Sequence, residues 1–319
     1  MRNFCYFFVV VLSLLILSEA GSSKYITQTR ILMGTYVTII CDGSREDING
    51  AFSVIKKVEN LMSDQLPGSE IYLLNQKGEG EVSNWTAEVI KKAVEFSQIT
   101  GGAFDISVGP LVDLWRNAEL RGRVPFSKEL ERARSLVGYR NIAVENGRVK
   151  LKNEGMRLDL GGIAKGYAVD KAIGVLKRRG VKNALVNAGG DLFCLGEGPH
   201  GKWRVGIQHP REEGKIVGII KISNKAVATS GDYRRYYVIE GRRYGHIINP
   251  FTGWTIQGNP MSVTIIAPDT TTADALATGI FVLGPDKGMK IINELPDVEA
   301  MIIGEGMSIF TSPGWRNYY

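Results

Sequence analysis

Asp274 and Thr278 stand four residues apart in the segment Thr271-Thr-Ala-Asp-Ala-Leu-Ala-Thr278. On a helix they share one face, one turn from each other. A carboxylate and a hydroxyl offered side by side suit a hard cation such as Mg²⁺, which takes few protein ligands and leaves its other positions to water and phosphate. The pair also has a purely structural reading, with Asp274 complementing the helix dipole and Thr278 bonding back to a carbonyl.

A second segment, Arg157-Leu-Asp-Leu-Gly-Gly-Ile-Ala-Lys-Gly-Tyr-Ala-Val-Asp170, runs from a strand-like stretch through two glycines into a helix. Glycines at such a junction let a ligand approach the backbone, and the unpaired N–H groups of a helix start favour phosphate. Asp159 and Lys165 flank the turn, placed to read a ligand's polar edge and its phosphate; a tight turn with a surface lysine is the alternative. The segment is neither a dinucleotide fingerprint nor a Walker loop, since no Lys-Ser/Thr pair follows its last glycine.

Thr100-Gly-Gly-Ala-Phe-Asp-Ile-Ser-Val-Gly-Pro110 reads as a structured loop carrying Asp105. Ala228-Thr-Ser-Gly-Asp-Tyr233 leads into a hairpin bearing Gly245-His-Ile-Ile-Asn-Pro-Phe-Thr-Gly253. Of the three histidines, only His246 lies in so compact a segment, whereas His200 and His209 fall in Gly/Pro-rich stretches that predict solvated side chains. No nucleophile elbow, His-Glu-x-x-His or zinc-type Cys/His cluster occurs, which makes covalent acyl chemistry and zinc hydrolysis poor candidates.

Five helical stretches must carry these residues. Apolar residues at helical spacing over Ala51–Met62 mark the first, and Thr86–Ile99 reads as a second, capped by Thr86 and stopped at Gly101. The others are Ser127–Val137, Lys165–Arg179 and Thr272–Leu283, each closed by a glycine. Between them lie strand-like runs, with hairpin signals at Asn146-Gly147 and at Gly241-Arg242. Hairpins and helices mix without strict βαβ alternation, so an α+β fold with largely antiparallel sheet is expected.

With 319 residues and 44% apolar content, the chain can bury a sizeable core without disulfides or a structural metal. Residues 1–20 read as a secretory signal: Arg2, an apolar run over Phe7–Leu17, then Ser18-Glu-Ala20 before Gly21. The run is shorter than the ~20 residues of a spanning helix, although a retained anchor is the alternative. Residues 21–319 then form one catalytic region. Cys41 and Cys194 lie far apart in strand-like contexts and read as buried free thiols. The net charge of +6 comes without a basic stripe interleaved with aromatics, which argues against nucleic acid and leaves room for a phosphate-bearing ligand.

Taken in order, these segments resemble the ApbE family of FAD:protein FMN transferases. The matching pieces are Met33-Gly-Thr35, Leu61-Met-Ser63 with Ser69-Glu70 and Asn75, Gly102-Ala-Phe-Asp105, Asp159-Leu-Gly-Gly-Ile-Ala-Lys-Gly166, Asn187-Ala-Gly-Gly-Asp191, Thr229-Ser-Gly231, His246-Ile-Ile-Asn-Pro250 with Thr252-Gly253, and Ala273-Asp-Ala-Leu-Ala-Thr278. The resemblance implies a T-fold-like α+β architecture with flanking helices, FAD as donor substrate, and Mg²⁺ at its pyrophosphate. It further implies Met33, Ala103, Phe104, Asp105, Asp159, Lys165 and Ile248 as FAD contacts. Asp274, Thr278 and the backbone oxygen of Gly162 would be the metal ligands.

His246, Lys165 and Asp105 become the candidates for catalysis, with His246 the first choice of base. The acceptor would be a Thr or Ser hydroxyl of a membrane-associated redox protein, with AMP released, on the outer face of a bacterial inner membrane or in the periplasm. The rival activities are FAD hydrolysis to FMN and AMP, or flavin binding without turnover. Two positions depart from the family pattern: Gln65, where an aromatic ring usually stacks on flavin, and Ala277, where some members carry a further carboxylate.

Overall fold

A computed structural model describes residues 25–233 and 235–319, so the expected export signal over residues 1–20 lies outside the described residues. Its frame is an eight-stranded sheet whose strands follow one another in chain order: Ile26–Leu32, Thr35–Cys41, Ala184–Ala188, Asp191–Leu195, Lys225–Gly231, Ser262–Ala267, Glu299–Ile303 and Ile309–Thr311. Every neighbouring pair is antiparallel. The α+β expectation therefore holds: the fold is a mixed one, with antiparallel sheet and flanking helices.

The helices are carried in two excursions from this meander. Between Cys41 and Ala184 run α1 (Arg45–Met62), α2 (Glu70–Lys77), α3 (Asn84–Ile99), α4 (Gly109–Arg121), α5 (Ser127–Arg134) and α6 (Ala164–Arg178); α7 (Thr270–Glu294) lies between the sixth and seventh strands. Helix α1 starts at Ser44, whose side chain forms a capping box with Asp47. It buries Ile48, Ala51, Phe52, Ile55, Val58 and Met62, an i, i+3, i+4, i+7 stripe. Burial of each large side chain in that stripe contributes about 1.5–3 kcal/mol.

Alternation along the strands sends side chains to two different cores. Val37, Ile39 and Cys41 join Phe193 and Leu195 in the core shared with α1, α6 and α7. Leu192 and Cys194, their neighbours in sequence, face the opposite side, where the hairpin Trp203–Gln208/Ile216–Ile222 covers them. Cys41 and Cys194 are both buried free thiols. A third cluster gathers Leu111 and Trp115 of α4, Leu130 of α5, and Ile239 and Ile248. There Trp115 Nε1 donates to the Gly253 carbonyl at 2.8 Å.

Several boundaries differ from the sequence reading. Helix α3 begins at Asn84, because Ser83 and not Thr86 is the cap; Ser83 accepts from Thr86 N and is itself held by Glu70. Helix α5 ends at Arg134, and the hairpin turn uses Glu240 and Gly241, both at positive φ, in place of Gly241-Arg242. Gly284 does break α7, with φ 76° and ψ 179°, but Pro285 is compatible with a new first turn and the helix resumes to Glu294. Ala228–Gly231, quoted as the lead into the hairpin, belongs to a central strand. Helices α2 and α4 were not expected: α2 has only 8 residues, and α4 opens on Gly109-Pro110, which resembles a turn. His200 is exposed as expected, but His209 is half-buried, its Nδ1 accepting from the amides of Arg211 and Glu212.

Candidate active site

The first turns of α6 and α7 meet over the middle of the sheet. Lys165, in the first turn of α6, places Nζ 3.3 Å from both carboxylate oxygens of Asp274 in α7, and it also contacts the carboxylate of Asp191. Both carboxylates are buried. Burial alone would lower the Lys165 pKa, but Asp191 and Asp274 outweigh it and push the group up to about 12. Burial, and then the charge of Asp191, raise the Asp274 pKa, while Lys165 and the Gly166 amide oppose that rise. The cluster carries one ammonium against two carboxylates, and ionised Asp274 has room for further positive charge.

Glycine makes this approach possible. A Cβ at Gly166 would sit 2.3 Å from the Thr270 carbonyl oxygen and 2.9 Å from Asp274 Cβ. Close contact also lets the Gly166 amide donate to Asp274 Oδ2 at 3.0 Å. One turn along α7, a Cβ at Gly162 would lie 3.0 Å from Thr278 Oγ1 and 3.2 Å from the Phe104 ring. Thr278 Oγ1 is also 3.3 Å from Ser230 Oγ, across the sheet face. Lys165, Asp274, Thr278, Gly162 and Phe104 are thus brought together, and Asp191 and Ser230 join them.

The chemistry of these donors fits Mg²⁺. Among the described residues no group of three or more His, Cys, Asp or Glu converges as a metal cage. Mg²⁺ does not need one: a carboxylate, a hydroxyl and a backbone oxygen, with the rest supplied by water and phosphate, match its usual protein share.

Two tight turns border the cluster. Met33 and Gly34, both at positive φ, connect the first two strands, and Met33 N donates to Glu59 Oε1 at 2.9 Å. Beside them, Gly189 approaches Thr35 so closely that a Cβ would meet its Oγ1 at 2.5 Å, and Gly190 N donates to Asn187 Oδ1. That second turn delivers Asp191 to Lys165. Arg235 reaches the Gly34 carbonyl at 3.4 Å, while its own carbonyl accepts from His246 N at 3.2 Å and lies 3.0 Å from His246 Nδ1. A carbonyl only accepts, so Nδ1 is the donor in this contact.

Asp105 and Asp159 sit in different surroundings. Asp105 Oδ1 accepts from the Ser107 amide at 2.8 Å and hydroxyl at 2.6 Å, and Oδ2 accepts from the Tyr139 amide at 2.9 Å. Burial raises its pKa against these three donors. The carboxylate ties the loop that holds Ala103 and Phe104 to Tyr139. Asp159 Oδ1 accepts from Gly161 N at 2.7 Å, and Oδ2 lies 3.6 Å from Arg116. Arg116 also pairs with Asp64 at 2.7 Å and with Asp113 at 3.6 Å.

Gln65, where a stacking ring was missed, donates to Asp64 at 2.6 Å and so belongs to this polar network. Ile248 is buried in the Trp115 cluster. Asp191, Ser230 and Arg116 were not singled out for the site. The first two stand inside segments already quoted for the resemblance, but Arg116 meets Asp64 and Asp159 only through folding.

The ApbE family matches this chain over residues 33–302. The FAD:protein FMN transferase of Vibrio cholerae serotype O1 is 34% identical over 274 residues, 83% of this chain and 82% of that protein. The protein of the same name from Treponema pallidum is 34% identical, covering 82% of this chain and 78% of its own length. The crystal structure of the ApbE protein of Thermotoga maritima superposes with a TM-score of 0.83 at 35% identity, covering 92% of this chain and 99% of that one. The flavin transferase ApbE of Vibrio cholerae gives the same TM-score of 0.83 at 30% identity. By sequence and by fold, the chain belongs to the ApbE family.

Proposed function

We propose that this protein is an FAD:protein FMN transferase, moving the FMN half of FAD onto a Thr or Ser hydroxyl of an acceptor protein and releasing AMP. The observation that carries the reading is the buried Lys165–Asp274–Asp191 cluster set against Gly162 and Thr278. Asp274, Thr278 and the Gly162 backbone oxygen would hold Mg²⁺, which when bound supplies Lewis-acid neutralisation of the FAD pyrophosphate. Lys165 offers the same phosphates a fixed positive charge in a site where burial strengthens it. Phe104, which lies beside Gly162, and Met33 would contact the donor, and Asp159, steadied by Arg116 and Gly161, would face one of its polar edges.

In the transfer step the acceptor hydroxyl oxygen forms a bond to the flavin-side phosphorus as the bond to the bridging oxygen breaks, and AMP departs with that oxygen. The hydroxyl proton goes to a base. His246 is preferred over Asp105, because both Asp105 oxygens are engaged in holding the loop. The expected export signal places the reaction beyond the cytoplasmic membrane. Among the described residues no helix is long and apolar enough to cross a membrane.

The test is to incubate the protein with FAD, Mg²⁺ and a membrane redox protein, then denature. Flavin fluorescence that stays with the acceptor, together with AMP, supports transfer. Free FMN and AMP released at a rate indifferent to the acceptor would make the protein a pyrophosphatase instead.

A further inference from the structure

Asp170, in the second turn of α6, accepts from the amides of Thr270 at 2.7 Å and Thr271 at 2.8 Å, and from the Thr271 hydroxyl. Thr270 and Thr271 open α7, where amides have no partner within the helix. The N-cap Asp269 takes the next amide, that of Thr272, at 2.8 Å. In the opposite direction, Asp274 of α7 takes the Gly166 amide in the first turn of α6, whose own N-cap, Ile163, contributes no side-chain bond. Each helix therefore supplies the carboxylate that satisfies the other's first turn, and the two starts are laced at two points. The two chain segments are about a hundred residues apart, so nothing local would hold them in this register.

We infer that Asp170 is a positioning residue for flavin transfer: it fixes the start of α7 against α6, so that Asp274 and Thr278 meet Lys165 and Gly162 in metal-binding register. The inference rests on the reading of Asp274 as a metal ligand. Asp170 lies on the side of α6 that meets α7, one turn beyond Gly166, so its effect on the site passes through the backbone of Thr270 and Thr271. An ordinary cap would affect stability alone; a positioning residue also changes metal affinity and the chemical step.

Two variants of the full chain test it. Asp170→Asn keeps the shape but sets an NH₂ group against donors. Thr271→Val removes only the hydroxyl bond. Mn²⁺ binding in the presence of ADP, followed by the electron paramagnetic resonance of the free ion, needs no turnover. In Asp170→Asn the Mn²⁺ affinity should fall by at least ~10-fold, because partners that orient metal ligands typically carry that much. kcat should fall similarly while KM for FAD changes by less than about threefold. Thr271→Val should move both readouts the same way by a smaller factor, with thermal unfolding close to that of the wild type.

Wild-type Mn²⁺ affinity and kcat in folded Asp170→Asn, or in Thr271→Val if the first variant does not fold, would overturn the inference even if the melting temperature drops. If wild type binds Mn²⁺ no better than Asp274→Ala does, the metal reading fails and the inference with it. Those two failures are told apart by the Asp274→Ala titration.

Discussion

Lys165 Nζ stands 3.3 Å from each carboxylate oxygen of Asp274, so an ammonium holds the buried carboxylate that, on the proposed function, would receive the metal. The arrangement sets one ammonium against two buried acids, Asp274 and Asp191. Removing the ammonium exposes what it offsets. Lys165→Met should lower stability by about 3 kcal/mol, the usual consequence of leaving one member of a buried ion pair alone. Denaturant unfolding checks this, and adding Asp191→Asn should recover part of the loss in a double-mutant cycle.

The contact of α6 with α7 tolerates no side chain at Gly166. Gly166→Ala should cost about 2 kcal/mol or more, since its Cβ would fall 2.3 Å from a backbone oxygen that cannot rotate away. Gly174→Ala, on the same helix, meets only the end of Arg178 at 3.3 Å and should be neutral or stabilising by up to about 1 kcal/mol. Thermal unfolding of the two variants side by side separates a steric effect at this contact from a general effect of filling α6.

His246→Asn retains a donor toward the Arg235 carbonyl but loses the basic nitrogen. Steady-state kinetics should show kcat down by about 10²–10⁴-fold, with KM for FAD little changed. An unchanged kcat would remove His246 as the base.

Glu129 joins α5 to the end of α4, accepting from Arg123 at 2.9 Å and from the Phe126 amide at 2.7 Å. The Arg123 hydrogen bond, followed by that amide, holds its pKa at about 2. A depressed folded pKa stabilises the fold above the unfolded value of about 4.5 and loses that contribution as pH falls toward 2. Wild type should therefore melt above Glu129→Gln at neutral pH, and the two melting curves should converge on acidification from about pH 5 toward 2.

Much of the frame was legible because it obeys simple periods. The α1 stripe, the Asn146-Gly147 hairpin and the glycine after α6 are local signals, and local rules find them. Thr86 misled because capping depends on which hydroxyl the fold selects, and Ser83 is selected by Glu70. Asp274 and Thr278 were visible as an i, i+4 pair and the resemblance put Gly162 and Lys165 in the same site, yet no spacing pairs Asp274 with Lys165 or brings Asp191 to them. Lys165 is 109 residues away from Asp274, and the turn that brings Asp191 is set by the packing of Gly189 on Thr35. Arg116, Asp64 and Asp159 form a network that no spacing announces. Asn75 likewise proves to be a backbone clamp: its amide exchanges bonds of 2.8 and 2.7 Å with Leu158, one residue before Asp159.

The most direct test compares wild type with Asp274→Asn, measuring the intact mass of a membrane redox protein after incubation with FAD and Mg²⁺. Wild type should add one FMN phosphoryl group to the acceptor and release AMP in equal amount. Asp274→Asn should retain FAD binding and transfer at least about a hundredfold more slowly. Full transfer by Asp274→Asn, or release of free FMN by wild type with no change in acceptor mass, would contradict a metal-assisted flavin transferase built on the meeting of α6 and α7.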